Sequence, residues 1–342
     1  MKVITFGEIM MRLSPPNFQR FSQARSFDAV YGGSESNVAA SLANYGLNTE
    51  FVTRLPANDI GDACIKYLKQ YEIGTHFILR GGERLGIFFL EMGAAQRGSK
   101  VIYDRSNSSF TNIKPGMIDW KIVFTDATWF HWSGITPAVS SGAAEVCLEA
   151  AKTAKEMGLT VSCDMNYREK LWKWGKQAVE VMPELMQNAD VAFGNEEDAE
   201  KVFGIKAPNS DVIDGKVEND QYLFVCENLA KRFSNLKTIG ITLRSSVSAS
   251  HNNWSGVLWN KGIFYTGPRY EITPIVDRVG SGDAFAGGLI YGLLKFDTPQ
   301  LALNYAIAAS CLKHTIFGDI NLVCKDEVEK LILGDESGRV AR

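Results

Sequence analysis

An α/β fold, with a mostly parallel sheet covered by helices on both faces and a small β lid, is what this sequence predicts, and three observations carry the prediction. β-rich runs alternate with segments of helical apolar spacing along most of the chain. The glycine-rich segment 280–288 leads out of a short apolar run, Ile275-Val276, into an apolar helix. Two β-rich stretches, 9–31 and 85–103, break the alternation. Repeated strand-then-helix pairs give parallel strands whose helical crossovers cover both faces of the sheet.

The first pair is the run 2–7 (KVITFG), a strand ending in Gly, with 34–46 (SESNVAASLANYG), a helix behind a Ser cap. Strand 49–53 precedes a helix near 60–71, strand 128–132 one near 141–157, and strand 160–164 one at 177–186. Strand 191–193 leads into a helix opening at Asn195, and a helix near 222–233 is followed by strand 238–243. A hairpin-like pair, 255–259 and 262–266, and two helices from Ser281 and Pro299 complete the alternation. The insertion 9–31 holds a Pro15-Pro16 pair, and 85–103 reads as two β segments around a Gly-containing turn. Ligands of a doubly wound sheet bind at the carboxyl ends of its strands, so insertions projecting from its edge read as one lid. The expected organisation is a single domain, 1–342, with the lid segments inserted.

Composition narrows the function classes. The chain has 342 residues, 45% hydrophobic and 22% charged, which is ordinary for a globular protein and excludes a disordered or repetitive one. A net charge of -3 provides no global field for nucleic acid or an anionic membrane, so any anionic ligand needs a local site. No apolar run reaches the ~20 residues of a membrane span, and Glu8 interrupts any export-type segment, so a cytoplasmic protein is expected. The cysteines Cys64, Cys147, Cys163, Cys226, Cys311 and Cys324 form no C-x-x-C pair and read as reduced thiols. None of the four histidines lies four residues from another, which leaves no zinc pattern. Trp129, Trp132, Trp172 and Trp174 read as packing residues rather than sugar platforms.

The chemistry concentrates in DRVGSGDAFAGG, residues 277–288. Gly280, Ser281 and Gly282 allow a tight approach in which successive backbone N–H groups meet an anion at a helix start. Asp283 has two readings here: a helix-start carboxylate favoured by the macrodipole, or a base for a hydroxyl that attacks phosphorus. No Walker-type or dinucleotide glycine pattern follows any strand, which sets aside P-loop enzymes and nicotinamide oxidoreductases.

GGSESN (32–37) before a small-residue helix, NEED (195–198) after a strand, and the 280–288 segment resemble, in order and spacing, the three landmarks of the ribokinase-like, PfkB-type carbohydrate kinases. Within that family GEIMMRLSPP (7–16), ITLRS (241–245), HNNW (251–254), DRVG (277–280) and the tail GDESGR (334–339) are similar to the 2-keto-3-deoxygluconate kinases. The resemblance implies a ribokinase-like fold and an ATP- and magnesium-dependent transfer to the terminal hydroxyl of a 2-keto-3-deoxy sugar acid. It makes Asp283 the catalytic base and the amides of Gly280, Ser281 and Gly282 the anion hole. Gly32, Gly33 and Asn37 would hold the sugar, with Tyr103, Arg105 and Arg168 receiving its carboxylate. A guanidinium fork suits a planar carboxylate, and a neutral sugar has no need of two such arginines.

On the nucleotide side, Asn195 and Asp198 stand at the family's Asn-x-x-Glu, which organises magnesium and the triphosphate through water; Asp198 keeps the charge on a shorter arm. Arg244 and Arg278 replace a glycine and a threonine that are usual in the family, and both add positive charge where phosphates are expected. No side chain is assigned as a direct metal ligand, and a monovalent cation is implied near Asp277. The alternatives are a fructokinase-like kinase of a neutral sugar and a non-catalytic, sugar-responsive binding protein. An apolar face on the lid segments motivates a homo-oligomer.

Overall fold

The computed structural model describes residues 1–207 and 219–334, so most of the tail motif, 335–339, lies outside the described residues. Along the chain, β1 (Lys2–Phe6), β2 (Met10–Ser14) and β3 (Asp28–Gly32) precede α1 (Ser34–Asn44) and β4 (Asn48–Val52). The two-residue strands β5 (Arg54–Leu55) and β6 (Leu79–Arg80) flank α2 (Asp59–Gln70), and β7 (Gly86–Glu91) and β8 (Lys100–Asp104) follow. Next come α3 (Trp120–Val123), β9 (Ala127–Ser133), α4 (Ile135–Val139), α5 (Ser141–Glu156), β10 (Thr160–Asp164), α6 (Ala178–Met186), β11 (Val191–Gly194) and α7 (Glu196–Phe203). The last third holds α8 (Asn219–Arg232), β12 (Thr238–Ser248), β13 (His251–Asn260), β14 (Ile263–Thr266) and β15 (Tyr270–Ile272), then α9 (Ser281–Lys295), α10 (Pro299–Lys313) and α11 (Lys325–Ile332).

The central sheet runs β14-β13-β12-β11-β10-β9-β1-β4, with β15 beside β13. Every pair from β4 to β12 is parallel, and the antiparallel part begins at β13. Successive strand residues face opposite ways, and here both directions are apolar. Ile4, Phe130, Ala192 and Ile239 join a core with α5, α6 and α8, whereas Val3, Trp129, Val191 and Phe193 join one with α1, α9 and α10. The β13–β14 hairpin turns at Lys261 and Gly262, both with positive φ (48° and 90°), as a two-residue turn matched to strand twist requires. β12 extends to Ser248, past the expected strand 238–243, because it keeps pairing with the N-terminal half of β13.

The two insertions pair with each other. They form a separate four-stranded sheet, β3-β2-β7-β8, in which β2 and β7 are parallel, Met10 pairing with Gly86 and Leu13 with Phe89, while β3 and β8 pair antiparallel on either side. Its inner face carries Met10, Phe88, Leu90 and Met92 in one small cluster, while β8 is exposed along its length. Trp129, Trp132 and Trp172 are all buried, so packing explains them. The six cysteines are free thiols, four of them buried. Among the described residues no helix is long and apolar enough to cross a membrane.

Candidate active site

A cavity of about 540 Å³ opens where the carboxyl ends of β10, β11 and β12 meet the first turns of α1 and α9 and the inner side of the small sheet. Its wall starts from the glycines. Gly280 has φ 82°, and a Cβ there would come within 2.0 Å of the Asp319 carbonyl oxygen, so only glycine fits both the conformation and the space. α9 begins directly after it, with its first helical bond from Ala284 N to Gly280 O at 2.8 Å. The amides of its first turn have no intrahelical acceptor and carry the positive end of the helix dipole. Gly282 is exposed, and a Cβ there would meet open space. A phosphate oxygen can approach that backbone.

Asp283 does not cap its own helix. Its Oδ1 accepts Ser34 Oγ at 2.8 Å and its Oδ2 accepts Asn37 Nδ2 at 2.7 Å, both from the first turns of α1. Asn37 Oδ1 in turn accepts Gly33 N at 3.4 Å, and Ser34 Oγ accepts Asn166 Nδ2 at 3.3 Å. Burial pushes the Asp283 carboxyl above the usual aspartate range, and the two neutral donors offset only part of that. A carboxylate oriented by neutral donors, without a paired cation, keeps the basicity that proton removal needs. Ser34 therefore has a different task from the expected cap: α1 is capped by Gly33, and the Ser34 hydroxyl reaches across to α9.

The first turn of α1 is itself fastened by Glu35. Its buried Oε1 accepts Ser133 N at 3.0 Å, Ser133 Oγ at 2.8 Å and Thr136 Oγ1 at 2.7 Å, which ties α1 to the carboxyl end of β9. Burial raises this carboxyl to about 7. Gly7 is required beside it, since a Cβ there would lie 2.0 Å from Glu35 Oε2. Glu35 sits inside the 32–37 motif, but its partners are a hundred residues away, so nothing local marks it.

Thirteen of the fourteen residues expected to form the site line this one cavity. Gly32 and Gly33 are closely backed: an added Cβ would lie 2.2 Å from the side-chain Oδ2 of Asp319 at the first and 2.1 Å from the backbone Glu8 O at the second. Tyr103 of β8 and the exposed Arg168, which donates to Tyr167 O at 2.9 Å, stand on the same wall. Arg105 is the exception. It is buried against Glu8, whose Oε2 accepts its Nε at 2.8 Å and also its Nη2, while Ser108 Oγ donates to Glu8 Oε1 at 2.6 Å. Residues Arg105 and Arg168 are thus not brought together.

On the other side, Asn195 and Asp198 cap α7 reciprocally: Asn195 Oδ1 accepts Glu197 N and Asp198 N, and Asp198 Oδ2 accepts Asn195 N at 2.8 Å. Asp198 Oδ1 takes Tyr167 N at 2.9 Å, so both its oxygens hold backbone. Burial raises the Asp198 carboxyl. Burial also raises that of Asp164, a cavity residue the motifs did not mark, and the Asp198 and Asp283 charges add to the effect. Arg278 donates to Ser248 O and Ala249 O at 3.2 and 2.8 Å. Burial lowers its pKa, and the charge of Arg244 lowers it further, so two guanidinium groups face one cavity and repel. An anion between them relieves both.

A magnesium ion bound through phosphates and water needs only one or two protein carboxylates. Among the described residues no group of three or more ligands converges on a metal position, while Asp164 and Glu197 line the cavity beside Asp198. The residues present fit such a loosely held ion.

The chain superposes on the 2-dehydro-3-deoxygluconokinase of Thermotoga maritima with a TM-score of 0.93 and 48% identity, covering 98% of this chain and 100% of that one. It is 32% identical over 337 residues to the 2-dehydro-3-deoxygalactonokinase of Haloferax volcanii, 98% of each chain. A fructokinase from Xylella fastidiosa with bound ATP shares the fold alone, with a TM-score of 0.77 and 20% identity over 97% of this chain and 98% of that one. The fold is the ribokinase-like one that the sequence landmarks imply. The pattern of pfkB family carbohydrate kinases matches residues 1–244, a span that takes in Gly32, Gly33 and the 195–198 turn alike, and the chain belongs to that family.

Proposed function

We propose that the protein transfers the terminal phosphoryl group of ATP to the terminal hydroxyl of a 2-keto-3-deoxy sugar acid. The observation that carries this reading is Asp283, held by Ser34 and Asn37 at the start of α9 beside Gly280 and Gly282, in a cavity that also presents Arg168. The sugar hydroxyl gives its proton to Asp283 as its oxygen bonds phosphorus, and the bond to the departing nucleoside diphosphate breaks. Charge on the transferring group is met by the amides of Gly280, Ser281 and Gly282, with Arg244 and Arg278 on the phosphates that leave. Magnesium supplies charge neutralisation on the phosphates, and Asp164, Glu197 and Asp198 would meet its water shell. Two of the relatives named above are a 2-dehydro-3-deoxygluconokinase and a 2-dehydro-3-deoxygalactonokinase, which supports the substrate class.

A second reading, a kinase of a neutral sugar, is favoured by one observation: Arg105 already has a carboxylate partner in Glu8. An ADP-release screen across keto-deoxy acids and neutral ketoses separates the two. Turnover is expected with an acid, and Arg168→Ala is expected to lose ~10 to 150-fold in kcat/KM, the worth of one charge-assisted fork. Arg105→Ala should cost as much if Arg105 exchanges Glu8 for the ligand on lid closure. A preference for fructose, with both variants at full activity, would leave the neutral-sugar reading in place.

Ile102 of β8, 55% accessible and alternating with Val101 and Tyr103, which line the cavity, supports a homo-oligomer formed through the outer face of the small sheet. Light scattering at micromolar concentration is expected to give at least a dimer mass; a monomer ends the proposal. Free thiols and the use of ATP support a cytoplasmic setting.

A further inference from the structure

We infer that the ε-ammonium of Lys313 serves as a built-in monovalent cation for the anion loop, so that phosphoryl transfer by this protein needs no dissolved potassium-type ion beside Asp277. Lys313 is the last residue of α10 and is fully buried. Its Nζ donates to Asp277 O and to Ile316 O, each at 3.2 Å. The first carbonyl opens the loop that ends in Gly280 to Asp283. The second lies in the 314–319 loop against which Gly280 packs. A small cation coordinated by these two carbonyls would join the same two loops, and the ammonium already does so with a covalent tether.

Charge balance argues the same way. Arg12 bridges Asp319 and Asp277 at 2.6 Å each, all three side chains buried. With Lys313 the cluster holds two cations and two anions. A dissolved ion added here would bring an uncompensated buried charge, and the carbonyls it would use are occupied. The implied monovalent cation therefore does not fit. Burial lowers the Lys313 pKa, while Asp277 and Asp319 favour its charged form. Lys313 touches no reacting atom and is a positioning residue: it fixes the carbonyl from which the anion loop departs.

The inference rests on the anion loop binding phosphates, and its test has an arm that does not need the sugar to be known. Turnover and the affinity for magnesium–ADP, by calorimetry, are measured in buffers whose only monovalent cation is tetramethylammonium, then with potassium, ammonium or sodium at constant ionic strength. The wild type is expected to change less than about 2-fold in either readout. Lys313→Ala is expected to lose roughly 10 to 100-fold in kcat with the sugar KM little changed, and to regain activity with potassium or ammonium, for which the truncation leaves room. Lys313→Met, which fills that room without charge, should lose activity and not regain it. Stimulation of the wild type several-fold by potassium, or full cation-free activity in Lys313→Ala, overturns the inference. Should Lys313→Ala not fold, the wild-type response decides alone, and if no sugar offered is phosphorylated, the ADP affinity still reads it.

Discussion

Replacing Asp283 by Asn is expected to lower turnover by ~10²- to 10⁴-fold, the usual contribution of a positioned general base, with sugar binding largely kept. Asn is the right probe because it preserves size and can still bond Ser34 and Asn37 once the Asn37 amide turns over, so the link between α9 and α1 survives. What it removes is the proton acceptor. The pH dependence gives a second signature. Asp283 must be ionised to act, and burial raises its pKa, so kcat/KM should be full above that raised value and fall as pH drops through it. The acidic limb therefore sits above the ordinary aspartate range, and Asp283→Asn should lack it. Stability should move the opposite way. An aspartate with a raised folded-state pKa loses stabilisation as pH climbs from its unfolded value to its folded one, so at neutral pH the neutral Asn should unfold at the same temperature or higher. Near-normal turnover in Asp283→Asn would remove the base assignment.

The parts of this site that could be read in the sequence are those in which neighbouring residues share one task. The glycine loop and α9 are contiguous, so Gly280, Ser281, Gly282 and Asp283 stand out by type and spacing, whereas Gly32, Gly33 and Asn37 were marked only through the resemblance to the carbohydrate kinases. The sheet was legible because two-sided burial makes its strands continuously apolar. Pairing partners across the fold were not. Arg105 reads as a free cation until Glu8, 97 residues earlier, is brought against it. Asp319 has no motif, yet its side chain backs Gly32 and its carbonyl backs Gly280. Lys313 ends an otherwise apolar helix and would be taken for a solvated C-terminal charge favoured by the dipole. The parallel pairing of β2 with β7 was equally hidden, since alternation gives a strand its faces but not its neighbour.

Arg12 is where these long-range pairings converge, and Arg12→Met is expected to cost about 3–5 kcal/mol of folding stability, the scale for breaking a buried ion pair by removing one partner. That is a large part of the ~5–15 kcal/mol that holds a typical domain together. The side chain leaves the lid strand β2, donates Nε to Ser14 Oγ at 2.9 Å, and places Nη1 and Nη2 on Asp319 and Asp277. Met fills similar volume, so the cost comes from two buried carboxylates stripped of their guanidinium partner, with Lys313 the cation left in the cluster, and not from a void. Charge balance can then be restored by a second change. Arg12→Met combined with Asp319→Asn leaves one cation, Lys313, and one anion, Asp277, in the cluster, and it should recover part of the loss, whereas independent sites would add their costs. Urea unfolding of the wild type, both single variants and the double variant measures this coupling. Because Asp277 also accepts Val279 N at 3.0 Å and Gly318 N at 3.1 Å, Arg12→Met should lower kcat at temperatures where it remains folded, through a loosened anion loop. A variant within about 1 kcal/mol of the wild type would mean that the cluster relaxes or admits water, and the lid strand would then be joined to the anion loop by packing alone.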